Sequence, residues 1–383
     1  MKAFQLSNRL NQFPEYIFSA LNKQVVEVEK KSGRKVLNLG IGSPDFPPSR
    51  MYLNKLKEYI DEKGSHLYPG NGAIPELEEG LQHWYNSRFN VTLAQNELYP
   101  LLGSRDGVAH LPLALCNRGD EIVVPDPGYP AFTGPALMIG VKPIYYNLVA
   151  ANNFKINLKE LERKITRKTK YMWVNFPSNP TGQVATIEEL RTLVAFAKNH
   201  NIWLLYDNAY AEITFDGFVA PSILQIEGAK DIAVEIGSFS KTFSFAGFRM
   251  GWIVGNSEII AALAKIKSQM DSGLSLPFQK LGGFALTHPD RAWHAEMIAA
   301  YQLRRDIIIK ALKTIGLDAN KTKGSLYLWV NIPDRFSDSK HYAQTVLREK
   351  QILLTSGTAF GKNGTRYVRV SVCANIDSIA EYL

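Results

Sequence analysis

Short apolar stretches rich in β-branched and aromatic residues recur along the chain and predict β-strands. They lie at Val36 to Ile41, Glu121 to Pro125, Lys142 to Tyr146, Tyr171 to Asn175, Ile202 to Tyr206, Ile232 to Ile236 and Trp252 to Val254. Between several of them lie amphipathic segments of helical length, such as Thr186 to Asn199 and Pro130 to Ile139. Because strand and helix alternate through the middle of the chain, we expect a largely parallel sheet covered by helices on both faces.

The pattern changes near Pro289. A long helical stretch, Arg291 to Thr314, is followed by strand-like runs at Leu326 to Val330, Ile352 to Thr355 and Tyr367 to Val372. This order predicts a second, smaller α+β unit, and we expect Arg9 to Lys31, a helical segment ended by Gly33, to join it. We therefore place a large domain at residues 46–289 and a small domain at residues 1–45 and 290–383. Asn375 to Leu383 is typical of the start of a helix, which leaves room for a natural chain that extends further.

The composition favours a soluble protein in the cytoplasm. The chain has 383 residues with 45% apolar content, which is enough for one large core and one smaller core. Its apolar stretches are too short to cross a bilayer, and the polar start of the sequence lacks the apolar centre of a signal peptide. The two cysteines, Cys116 and Cys373, lie far apart in apolar contexts, so we interpret them as reduced core residues and expect neither a disulfide nor a metal site.

The charge distribution argues against nucleic-acid binding. The net charge is +8, from 44 basic and 36 acidic residues, but the basic groups are dispersed and no nucleic-acid-reading module is recognisable. We therefore expect no nucleic-acid partner, and the excess of positive charge instead suits an anionic ligand.

One lysine stands in a context that suits covalent chemistry. Ser238-Phe239-Ser240-Lys241 follows a strand-like run, and Arg249 ends a Gly-Phe-Arg segment shortly afterwards. A lysine that attacks an aldehyde must be neutral, which requires burial or nearby positive charge, while hydroxyls and an arginine suit a phosphate dianion. Taken alone, this segment is also compatible with an ordinary surface turn.

Three further segments, together with the lysine segment itself, give this lysine a family context. The segments PDPGYP (residues 125–130), NFPSNPTG (175–182), YDNAY (206–210) and SFSKTFSFAGFRMGW (238–252) appear in this order. With them the chain resembles the class I and II aminotransferases of the aspartate aminotransferase fold over nearly its whole length. It is most similar to the LL-diaminopimelate aminotransferase branch, because of LLGSRDGVAHLPLALCNRGDEIVVPDPGYP (101–130) and GIGSPDFPPS (40–49).

The resemblance implies a fold and a cofactor. The fold is that of fold type I enzymes that depend on pyridoxal 5′-phosphate: an α/β large domain with a mostly parallel seven-stranded sheet flanked by helices, plus a smaller α+β domain. By this resemblance Lys241 carries the cofactor as a Schiff base. Asp207, at the end of a strand-like run, pairs with the pyridine nitrogen and keeps it protonated, although it could also be a simple turn or N-cap aspartate.

The other cofactor ligands are carried over position by position. Tyr210 and Asn179 resemble the residues that bind the phenolic oxygen of the cofactor, and Tyr129 matches the aromatic residue that stacks on its ring. The phosphate ligands that the resemblance implies are Ser104, Arg105, Ser238, Arg249 and, from the partner chain, Tyr68. Four of these residues have a plain structural alternative: a turn asparagine for Asn179, a core tyrosine for Tyr129, an N-cap serine for Ser104 and turn chemistry for Tyr68. Arg105 stands where many members of the branch have lysine.

The small domain is expected to hold the substrate. Arg369 matches the arginine that clamps the substrate α-carboxylate, and Asn179 and Gly42 are expected beside it. Arg366 lies close by on the same apolar run and stays an alternative ligand. Since Tyr68 reaches across, the resemblance also implies a homodimer with shared active sites, and we expect no metal.

The predicted reaction is a ping-pong transfer of an amino group from an amino acid to a 2-oxo acid, by analogy 2-oxoglutarate, with Lys241 as the proton shuttle. A β-eliminating lyase on the same fold is the alternative, and a ligand-sensing regulator is a more distant one. Aspartate is a less favoured donor, because the stretch from Ser268 to Gln279 contains no arginine for a second carboxylate. Diaminopimelate, aromatic and other amino acids remain open.

Overall fold

The computed structural model describes residues 6–12 and 17–382. Its α-helices are α1 (Ile17–Ser32), α2 (Arg50–Asp61), α3 (Pro75–Phe89), α4 (Ser104–Leu115), α5 (Gly134–Met138), α6 (Leu158–Glu162), α7 (Ile187–His200), α8 (Phe239–Thr242), α9 (Ser257–Lys267), α10 (Leu276–Thr287), α11 (Arg291–Ala311), α12 (Ser339–Lys350) and α13 (Ile376–Tyr382). Its strands are β1 (Leu37–Asn38), β2 (Leu98–Leu101), β3 (Glu121–Asp126), β4 (Lys142–Asn147), β5 (Thr169–Asn175), β6 (Trp203–Asp207), β7 (Ala233–Ser238), β8 (Gly251–Gly255), β9 (Tyr327–Asn331), β10 (Ile352–Leu353), β11 (Thr355–Ser356) and β12 (Tyr367–Ser371). Within this part of the chain, no helix combines the length and the apolar character needed to cross a membrane.

The large sheet has seven strands in the order β2-β8-β7-β6-β5-β3-β4. Strands β3 to β7 pair in parallel, while β8 runs antiparallel to both β7 and β2. The predicted mostly parallel seven-stranded sheet is therefore confirmed. In the register of the sheet Asn175 pairs with Asp207, so the carboxyl ends of β5 and β6 meet at one edge. That edge is where open α/β sheets bind their ligands.

Both faces of strands β3, β5, β6 and β7 are buried, which explains their mostly apolar runs, whereas the edge strand β4 is partly exposed. On β5, Met172 and Val174 pack into the core that contains α3 and α7. Tyr171 and Trp173, which point the other way, pack into the core that contains α4 and α9. Two helical layers thus enclose the sheet and hold its carboxyl edge in place.

The smaller unit is built from both ends of the described chain. Strands β11, β12 and β9 form an antiparallel sheet, and β1 pairs in parallel with β10. Leu37 and Leu39 share a buried core with Tyr301, Leu328 and Val370. The residues after Ser32 therefore pack with those after Pro289, as the sequence pattern indicates, whereas the domain boundaries remain a prediction.

Three elements differ from the expectation. The segment 130–139 is a 3₁₀ turn at Pro130–Phe132 followed by the short α5, because Pro130 and Pro135 each stand in a first turn, where proline needs no N–H partner. Strand β2 was not predicted, since Pro100 interrupts it; the edge of the sheet tolerates that proline. Of the predicted helix from Arg9 to Lys31, Asn8–Gln12 forms a 3₁₀ turn, residues 13–16 lie outside the described residues, and α1 covers the rest.

Candidate active site

The candidate site lies at the carboxyl edge of the large sheet. Asp207 is the last residue of β6, Ser238 ends β7, Lys241 lies in α8 and Ser104 opens α4. A cavity of about 430 Å³ is lined by these residues together with Gly42, Arg105, Tyr129, Asn179, Tyr210, Arg249 and Arg369. Every residue predicted for the site lines this cavity except Tyr68, whose side chain is 88% exposed on the surface.

The surroundings of Lys241 favour the neutral form of its amine. Burial lowers the pKa of Lys241 to about 8, and the positive charges of Arg369 and Arg249 act in the same direction. Its Nζ atom lies 5.5 Å from the centre of the Tyr210 ring. A lysine in this environment has a substantial neutral fraction near neutral pH, as a nucleophile or a base requires.

Asp207 is a buried carboxylate that faces the same cavity. Burial raises its pKa to about 6, against the hydrogen bond from the Ala209 N–H and the charge of Lys241, which both lower it. The Ala209 N–H lies 3.1 Å from Oδ1 of Asp207. Such a carboxylate favours a cationic partner, which would offset the cost of keeping its negative charge buried.

A chain of hydrogen bonds connects the end of β5 to the smaller unit. The side-chain amide of Asn175 donates to the Asp207 carbonyl at 3.0 Å, and its Oδ1 accepts from the backbone N–H of Asn179 at 2.8 Å. Oδ1 of Asn179 accepts from Nη1 of Arg369 at 2.9 Å. The amide of Asn179 is thereby oriented, with its oxygen on Arg369 and its N–H groups as the remaining donors.

Arg369 is held by aromatic rings and by backbone. It is 1% exposed, and its guanidinium lies 4.1 Å from the ring centre of Tyr327 and 4.7 Å from that of Phe360. Its Nη2 donates to the Gly40 carbonyl at 2.7 Å. The arginine is thus pre-positioned at the wall of the cavity, as a carboxylate ligand should be.

Arg366, the alternative carboxylate ligand, is turned away from the cavity. It forms an ion pair with Asp334 at 2.8 Å and donates to the carbonyls of Ile332 and Phe336. This alternative is therefore wrong. The reason is the strand geometry around β12, which the apolar pattern alone does not specify.

The opposite end of the cavity is a cradle for an anion. Ser104 begins the twelve-residue α4, and a Cβ atom placed on the preceding Gly103 would lie 2.5 Å from Nη2 of Arg249. Gly103 has φ +82°, so it is both conformationally and sterically restricted to glycine. Buried Ser238 and Ser240 line the same end. Helix N–H groups, hydroxyls and a guanidinium together suit a phosphate.

Of the two residues that follow Ser104, one lines the cavity and the other holds helices together. Arg105 is exposed and lines the cavity. Asp106 does not line it: its carboxylate pairs with Nζ of Lys267 at 2.6 Å and with Nδ1 of His110 at 2.7 Å. Asp106 therefore anchors α4 to α9.

The two predicted tyrosines lie at the cavity wall. Tyr129 is half-buried and meets Phe132 edge-on, with 5.6 Å between ring centres. The hydroxyl oxygen of Tyr210 lies 3.1 Å from that of Tyr327. Burial raises the pKa of Tyr210 well above its usual value, with Tyr327 adding to the effect. Tyr210 is therefore a neutral hydroxyl that can donate to an anionic oxygen.

Sequence reasoning missed Tyr327 and Ser240. Ser240 stands inside the lysine segment and could have been singled out there. Tyr327 belongs to no recognised motif, and only the pairing of β9 with β12 brings it beside Arg369. Its hydroxyl donates to the carbonyl of Gly42, which also lines the cavity, at 3.2 Å.

The charges and shape of the cavity fit pyridoxal phosphate. Lys241 can bind its aldehyde, Asp207 can pair with a protonated ring nitrogen, and the Arg249 cradle can take its phosphate. Arg369 leaves a second cationic position for a substrate carboxylate.

Comparison with known proteins gives a consistent result. The family model described as "Aminotransferase class I and II" matches residues 34–380. The chain is 35% identical over 378 residues to an LL-diaminopimelate aminotransferase of Halothermothrix orenii, covering 98% of this chain and 96% of that protein. It is 36% identical over 380 residues to the protein of the same name from Aquifex aeolicus, with coverages of 99% and 97%.

Solved structures agree with these sequence relatives. Apo-BacF from Bacillus subtilis has a TM-score of 0.94 at 31% identity, covering 99% of this chain and 97% of that one. An aromatic aminotransferase from Pyrococcus horikoshii has a TM-score of 0.86 at 28% identity, with coverages of 94% and 96%.

Proposed function

This chain belongs to the aminotransferase class I and II family, and from that premise we propose that Lys241 is the amine that holds the cofactor and moves the substrate proton. The protein is a pyridoxal-phosphate-dependent aminotransferase. The observation that carries the assignment of roles is that the Lys241 amine, the Asp207 carboxylate and the Arg369 guanidinium line one cavity.

When bound, pyridoxal phosphate supplies an electron sink for the charge released at the substrate Cα. We propose that Asp207 keeps its ring nitrogen protonated, and that a cationic partner would bring the raised pKa of Asp207 back down. Ser104, Arg105, Ser238 and Arg249 would hold the phosphate. Tyr129 would stack on the ring, while Asn179 and Tyr210 would donate to its phenolic oxygen.

The substrate is oriented by Arg369, which would bind its α-carboxylate in the bidentate manner of a guanidinium. The neutral amine of Lys241 then takes the proton from the substrate Cα and later returns a proton, which burial makes feasible by lowering its pKa to about 8. The donor leaves as a 2-oxo acid. In the second half of the ping-pong cycle another 2-oxo acid, for which we propose 2-oxoglutarate, accepts the amino group.

For the amino donor we propose an LL-diaminopimelate-like amino acid, because relatives at 34–36% identity carry the name LL-diaminopimelate aminotransferase. Aspartate is disfavoured, since the stretch from Ser268 to Gln279 contains no arginine. An aromatic donor is the second candidate, because a similar solved structure is an aromatic aminotransferase.

We further propose a homodimer in which Tyr68 completes the site of the partner. Tyr68 does not line the cavity of its own chain and is 88% exposed, next to Leu67 at 60%. Met270 is 56% exposed, and a Cβ on the nearby Gly273 would lie 2.0 Å from the Gly70 carbonyl oxygen, so these two loops adjoin. An apolar, exposed patch of this kind is typical of an interface.

Mixing the purified protein with single amino acids in the absence of an acceptor tests the reaction type. Transfer predicts stoichiometric pyridoxamine phosphate and a 2-oxo acid, whereas a β-eliminating lyase would release ammonia and pyruvate. Lys241→Ala should abolish both turnover and the pH-sensitive visible absorption of the cofactor. Lys198→Ala, which removes a surface lysine paired with Asp231, is the matched control and should behave as the wild type. Normal activity in Lys241→Ala would refute the assignment.

Complementation tests the shared site. Lys241→Ala should be inactive and Tyr68→Ala weakly active, but in a mixed dimer one site receives an intact lysine from one chain and an intact tyrosine from the other. Random mixing should therefore restore about a quarter of the wild-type activity. If mixing restores nothing while both variants form dimers, Tyr68 does not act across the interface.

A further inference from the structure

Tyr327 occupies a position between the two halves of the active site. It is the first residue of β9 and is 3% exposed. In the antiparallel pairing of β9 with β12, Trp329 lies opposite Arg369, so Tyr327 is a diagonal neighbour of Arg369 on the same face of the sheet. This register explains why the Arg369 guanidinium lies 4.1 Å from the centre of the Tyr327 ring.

The hydroxyl of Tyr327 reaches two other parts of the site. Its oxygen lies 3.1 Å from the Tyr210 hydroxyl oxygen, and it donates to the Gly42 carbonyl at 3.2 Å. A Cβ atom on Gly42 would lie 2.2 Å from Cε1 of Tyr327, so the backbone there is in close contact with the ring. One side chain thus contacts Arg369, Tyr210 and the backbone at Gly42.

We infer that Tyr327 is a positioning residue that couples the substrate clamp, Arg369, to the cofactor-facing hydroxyl, Tyr210. The inference rests on the proposed function for those two residues. It assigns a separate task to each part of the side chain: the ring holds the guanidinium, and the hydroxyl supports Tyr210.

The role of the Tyr327 hydroxyl follows from its having a single proton to donate. Tyr327 has one hydroxyl proton, so while it donates to the Gly42 carbonyl, Tyr210 must be the donor in the Tyr210–Tyr327 pair. When Tyr210 turns its proton to the phenolic oxygen of the cofactor, its own oxygen becomes an acceptor, and Tyr327 can turn its single proton from the Gly42 carbonyl to Tyr210. A donor behind Tyr210 strengthens the hydrogen bond that Tyr210 makes in front, because hydrogen bonds in a chain polarise one another.

This chain of donors has a spectroscopic consequence. A stronger hydrogen bond to the phenolic oxygen stabilises its anionic form. It therefore lowers the pKa of the proton that this oxygen shares with the lysine nitrogen. Removing the Tyr327 hydroxyl should therefore raise the pH midpoint at which the visible band of the bound cofactor titrates. The other ionisable groups around Tyr210 are Asp207, Arg369 and Lys241, and a Tyr→Phe change at 327 leaves all three in place.

The experiment compares Tyr327→Phe and Tyr327→Leu with the same two changes at Tyr342. Tyr342 is a matched control, because it is 1% exposed, belongs to the same core and donates to the Ile315 carbonyl at 2.8 Å away from the cavity. The visible absorption spectrum of the holoenzyme is titrated from pH 5 to pH 10. The affinity for succinate, an inert carboxylate probe, is measured in two ways: by its effect on this spectrum, and by its effect on the melting temperature of the cofactor-free protein.

Tyr327→Phe should raise the pH midpoint by about half to one unit, which corresponds to the loss of roughly three- to tenfold in an equilibrium constant for one hydrogen bond. Succinate affinity should stay within about twofold, since the ring remains over Arg369. Tyr327→Leu should also weaken succinate binding by about three- to tenfold. Both Tyr342 variants should leave the midpoint and the succinate affinity unchanged.

The inference is overturned if the wild-type band titrates normally and Tyr327→Phe leaves its midpoint where it was, or if Tyr342→Phe moves it equally. A wild-type protein that binds the cofactor without any titrating visible band would instead contradict the proposed role of Lys241, so the two failures are distinguishable. Because Tyr327→Phe keeps the ring, it tests the hydroxyl even if Tyr327→Leu does not fold.

Discussion

Replacing Asp207 by asparagine should stabilise the cofactor-free protein above pH 6 while weakening its hold on the cofactor. Burial raises the pKa of Asp207 from its ordinary value of 3.8 to about 6. Between these two pH values the folded protein retains a proton that the unfolded chain has released, so the free energy of unfolding falls as pH rises through this window. Asparagine is neutral, can accept the same hydrogen bond from the Ala209 N–H, and removes this penalty.

The magnitude follows from the shift. A difference of roughly two pKa units corresponds to about 3 kcal/mol at a pH above 6. For a chain of 383 residues, the usual unfolding entropy per residue gives roughly 0.8 kcal/mol per kelvin, so the melting temperature should rise by about 4 °C. The same variant should bind pyridoxal phosphate at least about tenfold more weakly, because it lacks the charge-assisted partner of the ring nitrogen.

Differential scanning calorimetry of the cofactor-free protein at pH 4 and pH 7.5 is the assay. Asp207→Asn should melt with the wild type at pH 4 and above it at pH 7.5. Asp106→Asn is a control for which we expect the opposite change in melting temperature. Burial opposes ionisation of Asp106, but its bonds to His110 and Lys267 outweigh that cost and lower its pKa. Its loss should destabilise the protein by about 3 kcal/mol at pH 7.5. An Asp207→Asn variant that melts below the wild type at pH 7.5 would refute the reasoning.

Three further substitutions test the remaining contacts. Arg369→Lys keeps the charge but loses the two-pronged geometry, so kcat/KM for amino donors should fall about 10- to 100-fold in steady-state assays, with a raised KM; an unchanged KM would remove Arg369 from the substrate clamp. Gly103→Ala places a Cβ 2.5 Å from Nη2 of Arg249 at φ +82°, and cofactor affinity by equilibrium dialysis should fall about tenfold. In Gly42→Ala the new Cβ would lie 2.2 Å from the Tyr327 ring, so the free energy of unfolding measured in urea should fall by about 1–3 kcal/mol. In the control Gly134→Ala the new Cβ meets nothing within 4 Å, so stability should not change. Equal stability of these two variants would contradict the packing described around Tyr327.

The chain's sequence by itself determined the class of fold and most of the site. Strands β3, β5, β6 and β7 are buried on both faces, so they are recognisable as mostly apolar runs. Asp207 and Lys241 could be singled out because each follows such a run, and the carboxyl ends of parallel strands meet at one edge.

Tertiary structure alone decided the contacts between distant segments. The choice of Arg369 over Arg366 depends on which way side chains point around β12, and the role of Tyr327 depends on the register between β9 and β12. Strand β2 was not predicted because it contains Pro100. A proline is compatible with a strand at the edge of a sheet, and the edge position of β2 is known only from the tertiary structure. Register and edge position are properties of strand pairing, and pairing joins residues that lie far apart in the chain, so no pattern within a single segment specifies them.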